Sequence, residues 1–200
     1  MELLGGSMNK LLVVVDMIEG FVNFGKLSDK NINRIVPNVE NLIKEAIKSG
    51  DKIIAFIDTH KKDDAELEKY PEHCIGGTRE CELIPELQKY KNQMLIIEKN
   101  TTDGFQVPQC KRLVATNNFS EVKICGCCTD ICVKDFTESL LKFYEITKSS
   151  TKVKIMSDAC DTFWTKGHNA DEVNQKTMRE LQKKGAIISK TKEKCDEKNY

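Results

Sequence analysis

The chain has 200 residues, of which 31 are Lys or Arg and 31 are Asp or Glu, so its formal net charge is zero. This balance does not favour nucleic acid or an anionic membrane as a partner, and the length suits one domain with a large core. No apolar run approaches the roughly 20 residues that a bilayer crossing needs. The first ten residues lack a basic region followed by an apolar core, so we expect no signal peptide.

Both ends of the chain are expected to lie outside the folded domain. Met8 is a plausible natural start, which makes residues 1–7 an N-terminal extension, and the charged residues 191–200 are expected to fray. We therefore predict one domain over residues 8–190. The nine cysteines are odd in number, in a long chain without a secretion signal, so we expect reduced thiols in the cytoplasm rather than a disulfide scaffold.

Short apolar runs alternate with longer amphipathic segments along the chain. Residues 11–15 form a continuous apolar run, typical of a strand buried on both faces. Residues 31–49 carry apolar side chains at helical spacing, and Gly50 ends that helix. Further strands are predicted at residues 52–57, 94–97, 121–125, 152–156 and 186–189. Further helices are predicted at residues 110–118, 129–144 and 168–184, and residues 58–83 form a long polar connection.

The alternation of strands and helices predicts an α/β fold of three layers. Its centre is a six-stranded, mostly parallel, doubly wound sheet with helices on both faces. Active sites of such sheets lie beyond the carboxyl ends of the strands. The residues at those ends are Asp16, Asp58, Lys99 and the segment 126–132.

Asp16 and Lys99 end two different predicted strands. Burial raises the pKa of a carboxylate unless a cation lies near, and Lys99 could be that cation. An ion pair that only braces two strand ends explains these two residues as well as catalysis does.

Cys132 is the candidate nucleophile. A strand, then Gly126, then a helix that begins near Thr129 would put Cys132 in the first turn of the helix. The partial positive charge and free N–H groups of a helix N-terminus lower a thiol pKa and can hold an oxyanion. A cysteine nucleophile also needs a base or cation. Asp16 and Lys99 fit that need better than His168, which is a candidate only because the chain has few histidines.

Three further cysteines crowd the same segment: Cys125, Cys127 and Cys128. A thiolate zinc site is conceivable there, but no second cysteine pair stands at zinc-ribbon spacing. Apolar filling is the simpler interpretation of Cys125 and Cys127.

A second constellation lies in the long polar connection and consists of Asp58, His60, Glu66 and His73. Side chains alternate along an extended chain, so Asp58 and His60 would present two ligands on one side. Mixed carboxylate and imidazole ligands suit zinc, manganese or iron. Histidines in loops are also often ordinary surface residues.

Four motifs in order carry a family resemblance over about residues 11–189. They are Asp16-Met17-Ile18-Glu19-Gly20-Phe21; Asp58-Thr59-His60 with Glu66 and Tyr70-Pro71-Glu72-His73; Glu98-Lys99; and Gly126-Cys127-Cys128-Thr129-Asp130-Ile131-Cys132-Val133. Together they resemble the nicotinamidase/pyrazinamidase branch of the isochorismatase-like cysteine hydrolases. Isochorismatases are similar in fold but lack the metal loop.

The resemblance implies a role for each residue of the catalytic motifs. Asp16 would be the general base and acid, Lys99 the catalytic lysine and Cys132 the nucleophile. The backbone N–H groups of Cys128 and Cys132 would form the oxyanion hole, with a cis peptide between Cys127 and Cys128.

The resemblance also implies a substrate, a metal ion and a setting. Phe21 and Tyr70 would enclose a small heteroaromatic amide. A divalent ion on Asp58, His60, Glu66 and His73, zinc first and Mn²⁺ or Fe²⁺ as alternatives, would hold its ring nitrogen. The reaction would convert nicotinamide to nicotinic acid and ammonia through a cysteine thioester, as a step of NAD salvage. The protein would be a cytoplasmic homo-oligomer.

The sequence also departs from the family pattern. Thr102 and Phe105 lie where many relatives place an aromatic wall, and Asp63 or Asp64 could take the role of Glu66. One alternative is therefore a related hydrolase of a different small amide or carbamoyl compound. An alternative of another class is a non-catalytic redox sensor that uses its thiols or a metal.

Overall fold

A computed structural model describes residues 9–191. The predictions for residues 1–7 and for most of the C-terminal tail fall outside these residues. Thr191, the first residue of the predicted tail, is described and is held by Asp158. Its N–H donates to Asp158 Oδ1 at 2.9 Å and its hydroxyl donates to Oδ2 at 2.7 Å.

Six strands form one sheet in the order β3-β2-β1-β4-β5-β6. The strands are β1 (Lys10–Val15), β2 (Lys52–Asp58), β3 (Leu95–Lys99), β4 (Glu121–Cys127), β5 (Lys152–Asp161) and β6 (Ile187–Ser189). All neighbouring pairs are parallel, which confirms the predicted sheet. The chain runs outward from β1 to β3 and then returns to β4. The strand order therefore reverses between β1 and β4, where doubly wound sheets bind their ligands.

Within residues 9–191, six α-helices accompany the sheet, together with turns of 3₁₀ helix. They are α1 (Glu19–Val22), α2 (Val36–Ser49), α3 (Pro85–Gln88), α4 (Pro108–Thr116), α5 (Lys134–Ile146) and α6 (Ala170–Lys183). None of the helices within residues 9–191 has the length and apolar character that a bilayer crossing requires.

Two predicted helices begin in a different form from the prediction. The helix predicted from residue 31 starts as a 3₁₀ turn over Lys30–Ile35 and becomes α2 at Val36. Pro37 favours this boundary, because a proline lacks the N–H that the first helical turn leaves unpaired. The helix predicted from residue 129 starts as a wide π-type turn over Thr129–Val133, which contains Cys132.

The ends of β1 and β4 meet because of one glycine. Gly126 has a φ of +116°, and a Cβ atom there would lie only 2.0 Å from the Val15 carbonyl oxygen. Only glycine lets the two backbones approach so closely. The core also packs tightly here, since the five apolar residues of β1 are at most 2% exposed. The chain after Gly126 is thereby brought beside Asp16.

Candidate active site

The Lys99 ammonium group, at the end of β3, joins side chains from three other segments. It lies 2.9 Å from Asp16 Oδ2 and donates to Asp58 Oδ1 at 2.9 Å. It also donates to the Cys132 sulfur at 3.8 Å. All four side chains are buried. The predicted residues Asp16, Lys99 and Cys132 thus form one contact group at the carboxyl edge of the sheet.

The charges of this group are set by burial and by its neighbours. Burial raises the pKa of Asp16 to about 6, although the positive charge of Lys99 opposes this rise. Burial lowers the pKa of Lys99, but its interactions with Asp16, Cys132 and Asp58 outweigh burial and hold that pKa well above its ordinary value. Lys99 is therefore a permanent cation, and Asp16 titrates close to neutral pH.

Asp16 is placed to accept a proton. Its backbone has a φ of +50°, and its N–H donates to the Phe56 carbonyl oxygen at 3.2 Å. Lys99 approaches Asp16 Oδ2 as an ion pair, and apart from this contact neither carboxylate oxygen is held by a strong hydrogen bond among residues 9–191. The ion pair that we considered from the sequence exists. The thiol beside it makes the pair suitable for acid–base chemistry.

The pKa of the Cys132 thiol differs from the sequence-based expectation. Burial raises the pKa of Cys132 well above its ordinary value, although Lys99 lowers it. The nearby Asp16 and Asp58 carboxylates raise it further. The expected low pKa at a helix N-terminus is therefore wrong, because the sulfur is buried beside two carboxylates. The resting thiol is neutral and needs Asp16 to remove its proton.

The segment before Cys132 has the implied cis peptide between Cys127 and Cys128. The Cys128 carbonyl accepts hydrogen bonds from the N–H groups of Ile131 and Val133, at 3.2 and 3.1 Å. Cys128 is half-buried on a cavity wall. Its backbone role in an oxyanion hole stays a prediction.

The other cysteines of this segment fill space in the core. Cys125 and Cys127 are fully buried and donate to the carbonyl oxygens of Val13 and Asp16. Burial raises the pKa of the Cys125 thiol. No cluster of cysteine ligands occurs within residues 9–191. This arrangement agrees with apolar filling rather than a thiolate zinc site.

Three of the four predicted metal ligands converge. Asp58 Oδ2 lies 2.9 Å from His60 Nε2 and 3.1 Å from His73 Nε2. One ligand atom from each residue lies within 4.8 Å of the other two. Lys99 and the hydrogen bonds from both histidines overcome the effect of burial and hold the pKa of Asp58 well below its usual range.

The far side of each imidazole is also bound. His73 Nδ1 lies 2.7 Å from the Pro71 carbonyl oxygen, which can only accept a hydrogen bond. His60 Nδ1 lies 3.3 Å from Asp64 Oδ2. Each Nδ1 therefore donates to its outer partner, and each Nε2 faces Asp58 Oδ2. A divalent cation would take the place of the Nε2 protons here, and outer hydrogen bonds of this kind are typical of metal-bound histidines.

Glu66 and its two rivals occupy different places. Glu66 lines the cavity beside His73, but its carboxylate is not part of the three-residue group. Burial and the charge of Asp58 raise the pKa of Glu66. Asp64 binds the far side of His60, and Asp63 is exposed. Glu66 as the fourth ligand stays a prediction.

A cavity of about 510 Å³ opens above Cys132. The predicted substrate contacts Phe21 and Tyr70 both line it, with ring centroids 5.8 and 6.3 Å from that of His73. Thr102 is also on the wall. Phe105 instead packs in the core, 5.4 Å from the Phe143 ring. Of the two residues that depart from the expected pattern, only Thr102 therefore forms part of the cavity wall.

Sequence reasoning missed the outer wall of this cavity. It comes from two segments that are far apart in the chain. Its residues are Lys26, Leu27, Ser28, Asp29, Asn31, Ile131, Phe163, Trp164 and Thr165. Residues 163–165 follow the end of β5, so the strand-end rule would have found them had that strand been predicted to its full length. His168 supports this wall, because its ring stacks on Phe163 while its Nε2 pairs with Asp130 at 2.9 Å.

This fold and this contact group define a doubly wound α/β enzyme with a buried thiol as candidate nucleophile. Residues 10–193 match the family model of the Isochorismatase domain, and the chain belongs to that family. The predicted family is thereby confirmed. The chain is an amide hydrolase of the isochorismatase-like type rather than a non-catalytic sensor.

Known proteins of this family resemble the chain over most of its length. Nicotinamidase 1 of Arabidopsis thaliana is 28% identical over 179 residues, which are 81% of this chain and 73% of the relative. The solved N-carbamoylsarcosine amidase from Thermoplasma acidophilum is 22% identical with a TM-score of 0.77, over 93% of this chain and 98% of that one. The pyrazinamidase of Pyrococcus horikoshii in complex with zinc is 23% identical with a TM-score of 0.76, over 91% and 99%.

Proposed function

We propose that the protein is a nicotinamidase, which hydrolyses nicotinamide to nicotinic acid and ammonia through a thioester on Cys132. The observation that carries this proposal is the contact of the Lys99 ammonium with Asp16, Asp58 and the Cys132 sulfur. This contact couples a base, a nucleophile and a metal-ligand group in one buried place. The resemblance to Nicotinamidase 1 supports the choice of substrate.

In the first half of the reaction, Cys132 attacks the amide. Asp16 takes the thiol proton while the sulfur bonds to the carboxamide carbon, and Lys99 stabilises the negative charge. The backbone N–H groups of Cys128 and Cys132 donate to the oxyanion. The carbon–nitrogen bond then breaks, and ammonia leaves with the proton that Asp16 returns.

In the second half, water cleaves the thioester. Asp16 takes a proton from the water as its oxygen bonds to the acyl carbon. The carbon–sulfur bond breaks, nicotinic acid leaves, and the Cys132 sulfur recovers a proton from Asp16. The cycle consumes one water and leaves the enzyme unchanged.

The metal-ligand group would orient the substrate. A divalent ion would be held by Asp58, His60 and His73, with Glu66 as the proposed fourth ligand, and would supply a Lewis acid for the pyridine nitrogen. Phe21 and Tyr70 contact the faces of the ring. The zinc complex of the Pyrococcus horikoshii pyrazinamidase favours zinc over manganese or iron.

We place the reaction in the cytoplasm, as a step of NAD salvage. All eight cysteines within residues 9–191 are free thiols, which supports a reducing compartment.

Two cysteine variants test the assignment of the nucleophile. Cys132→Ala removes the attacking sulfur, so ammonia release from nicotinamide should fall to background. Cys128→Ala keeps the backbone N–H that the mechanism uses, and should retain a substantial fraction of the activity. An inactive but folded Cys128→Ala protein would show that the assignment is wrong.

A second candidate function is hydrolysis of another small amide or a carbamoyl compound. Thr102 on the cavity wall favours it, since this side of the cavity differs from the family pattern. Comparing kcat/KM for nicotinamide, pyrazinamide and N-carbamoylsarcosine decides between them. Nicotinamide should be the preferred substrate, and a preference for the carbamoyl compound would favour the second candidate.

A further inference from the structure

We propose that the mouth of the active-site cavity contains a separate apolar binding site for a hydrophobic substituent of the substrate. We call it the outer site and define it by Leu27, Ile131, Phe163 and Trp164. The favoured substrate class is then a nicotinamide that carries an aryl group on carbon 5 of its ring. This inference rests on the proposed nicotinamidase reaction and deepens it.

The cavity is larger than nicotinamide requires. Nicotinamide has about nine non-hydrogen atoms, which would occupy about 270 Å³ even at the roughly 30 Å³ per water molecule of the liquid. The cavity measures about 510 Å³. About half of it therefore stays free when nicotinamide alone is bound.

The free half lies toward solvent. Phe21, His73 and Cys132 are at most 8% exposed and form the floor, whereas Trp164 is 57% exposed and forms the rim. Leu27 and Ile131 are half-buried between them. Together with Leu27, Ile131 and Phe163, the exposed indole makes an apolar surface beside the cavity, and contiguous apolar surfaces of this kind mark ligand-binding grooves.

When nicotinamide is bound as proposed, carbon 5 of its ring faces the rim of the cavity. The carboxamide is anchored at Cys132, and the ring nitrogen is anchored beside His73. The ring nitrogen (atom 1) and the carbon that bears the carboxamide (carbon 3) flank carbon 2. Carbon 5 is directly opposite carbon 2 in the ring. A substituent on carbon 5 therefore points away from the floor and into the outer site.

The wall of the outer site is held in place by ring stacking and hydrogen bonds. The His168 ring stacks on Phe163 with centroids 4.0 Å apart and an interplanar angle of 4°. His168 Nδ1 lies 2.8 Å from the Phe163 carbonyl oxygen. The backbone N–H of Trp164 donates to Asp29 Oδ2 at 2.7 Å, which ties the two wall segments together. These contacts fix the backbone and leave an aromatic surface for a ligand.

Trp164 is the only tryptophan of the chain, so its fluorescence reports on the outer site directly. The probe is 5-phenylnicotinamide, added to zinc-loaded Cys132→Ala protein, which cannot form the thioester. Its phenyl group should cover the indole and shift the emission to shorter wavelength, and nicotinamide should shift it much less. Calorimetry on the same samples measures binding. Lack of binding by 5-phenylnicotinamide, or equal shifts from both compounds, would overturn the outer site.

Kinetics give a second test with a matched control. Trp164→Ala should lower the ratio of kcat/KM for 5-phenylnicotinamide to that for nicotinamide about tenfold, the loss expected for one aromatic contact. Ile146→Ala removes another exposed apolar side chain, 70% exposed near the end of α5, and should leave the ratio unchanged. An unchanged ratio in Trp164→Ala contradicts the inference.

The two tests separate this inference from the proposed function. If the wild-type protein hydrolyses neither compound, the nicotinamidase reaction fails, while the fluorescence shift still decides the outer site. If it hydrolyses nicotinamide alone, the reaction stands and the outer site is refuted.

Discussion

Asp16 is the residue whose ionisation controls the proposed chemistry. Burial raises its pKa to about 6, and only the ionised carboxylate can take the Cys132 proton. We therefore expect kcat/KM for nicotinamide to fall as the pH drops below about 6, by about tenfold per pH unit once Asp16 is protonated. A pH–rate profile measures this directly.

A general base requires this direction of the effect. A protonated Asp16 cannot accept a proton, so activity must be lost on the acid side and retained above the pKa. Asp16→Asn cannot act as a base at any pH and serves as the control. A flat profile from about pH 5 to pH 8 would contradict this role of the carboxylate.

Gly126 determines how closely β4 approaches β1. A Cβ there would lie 2.0 Å from the Val15 carbonyl oxygen, so Gly126→Ala must push the strands apart. We expect the free energy of unfolding to fall by more than about 2 kcal/mol. Ammonia release should also fall, because Asp16 and Cys132 follow the two displaced strand ends.

A second glycine provides the matched control for this element. Gly50 also has a positive φ, +70°, but a Cβ there would meet no atom within 4 Å. Gly50→Ala should cost only about 1 kcal/mol, the strain of the backbone alone. Urea unfolding of both variants gives the comparison. Equal losses would show that the close approach of the strands does not matter.

For the molecule as a whole, the sequence predicted the sheet and the floor of the site. Apolar runs locate the strands, and the residues that end them, Asp16, Asp58 and Lys99, meet because parallel strands share one carboxyl edge. Those rules use only neighbours along the chain. They were enough to bring Asp16, Lys99 and Asp58 together, whereas Cys132 and the two histidines were found from the predicted helix start and the polar connection.

The outer wall and the state of the thiol depend on packing between distant segments. Asp29 and Trp164 are 135 residues apart, and no local pattern predicts their hydrogen bond. The pKa of Cys132 is likewise set by burial beside Asp16 and Asp58, which outweighs the helix-end effect that the sequence suggested. Such features follow from the assembled fold and not from spacing.

The central claim is that this protein hydrolyses nicotinamide and releases ammonia with the help of a bound divalent metal ion. The most direct test is steady-state ammonia release from nicotinamide by the zinc-loaded protein, before and after treatment with a chelator. We predict one ammonia for each nicotinic acid formed, loss of activity with the chelator, and recovery when zinc is restored. Absence of ammonia release from folded, zinc-loaded protein would contradict the account.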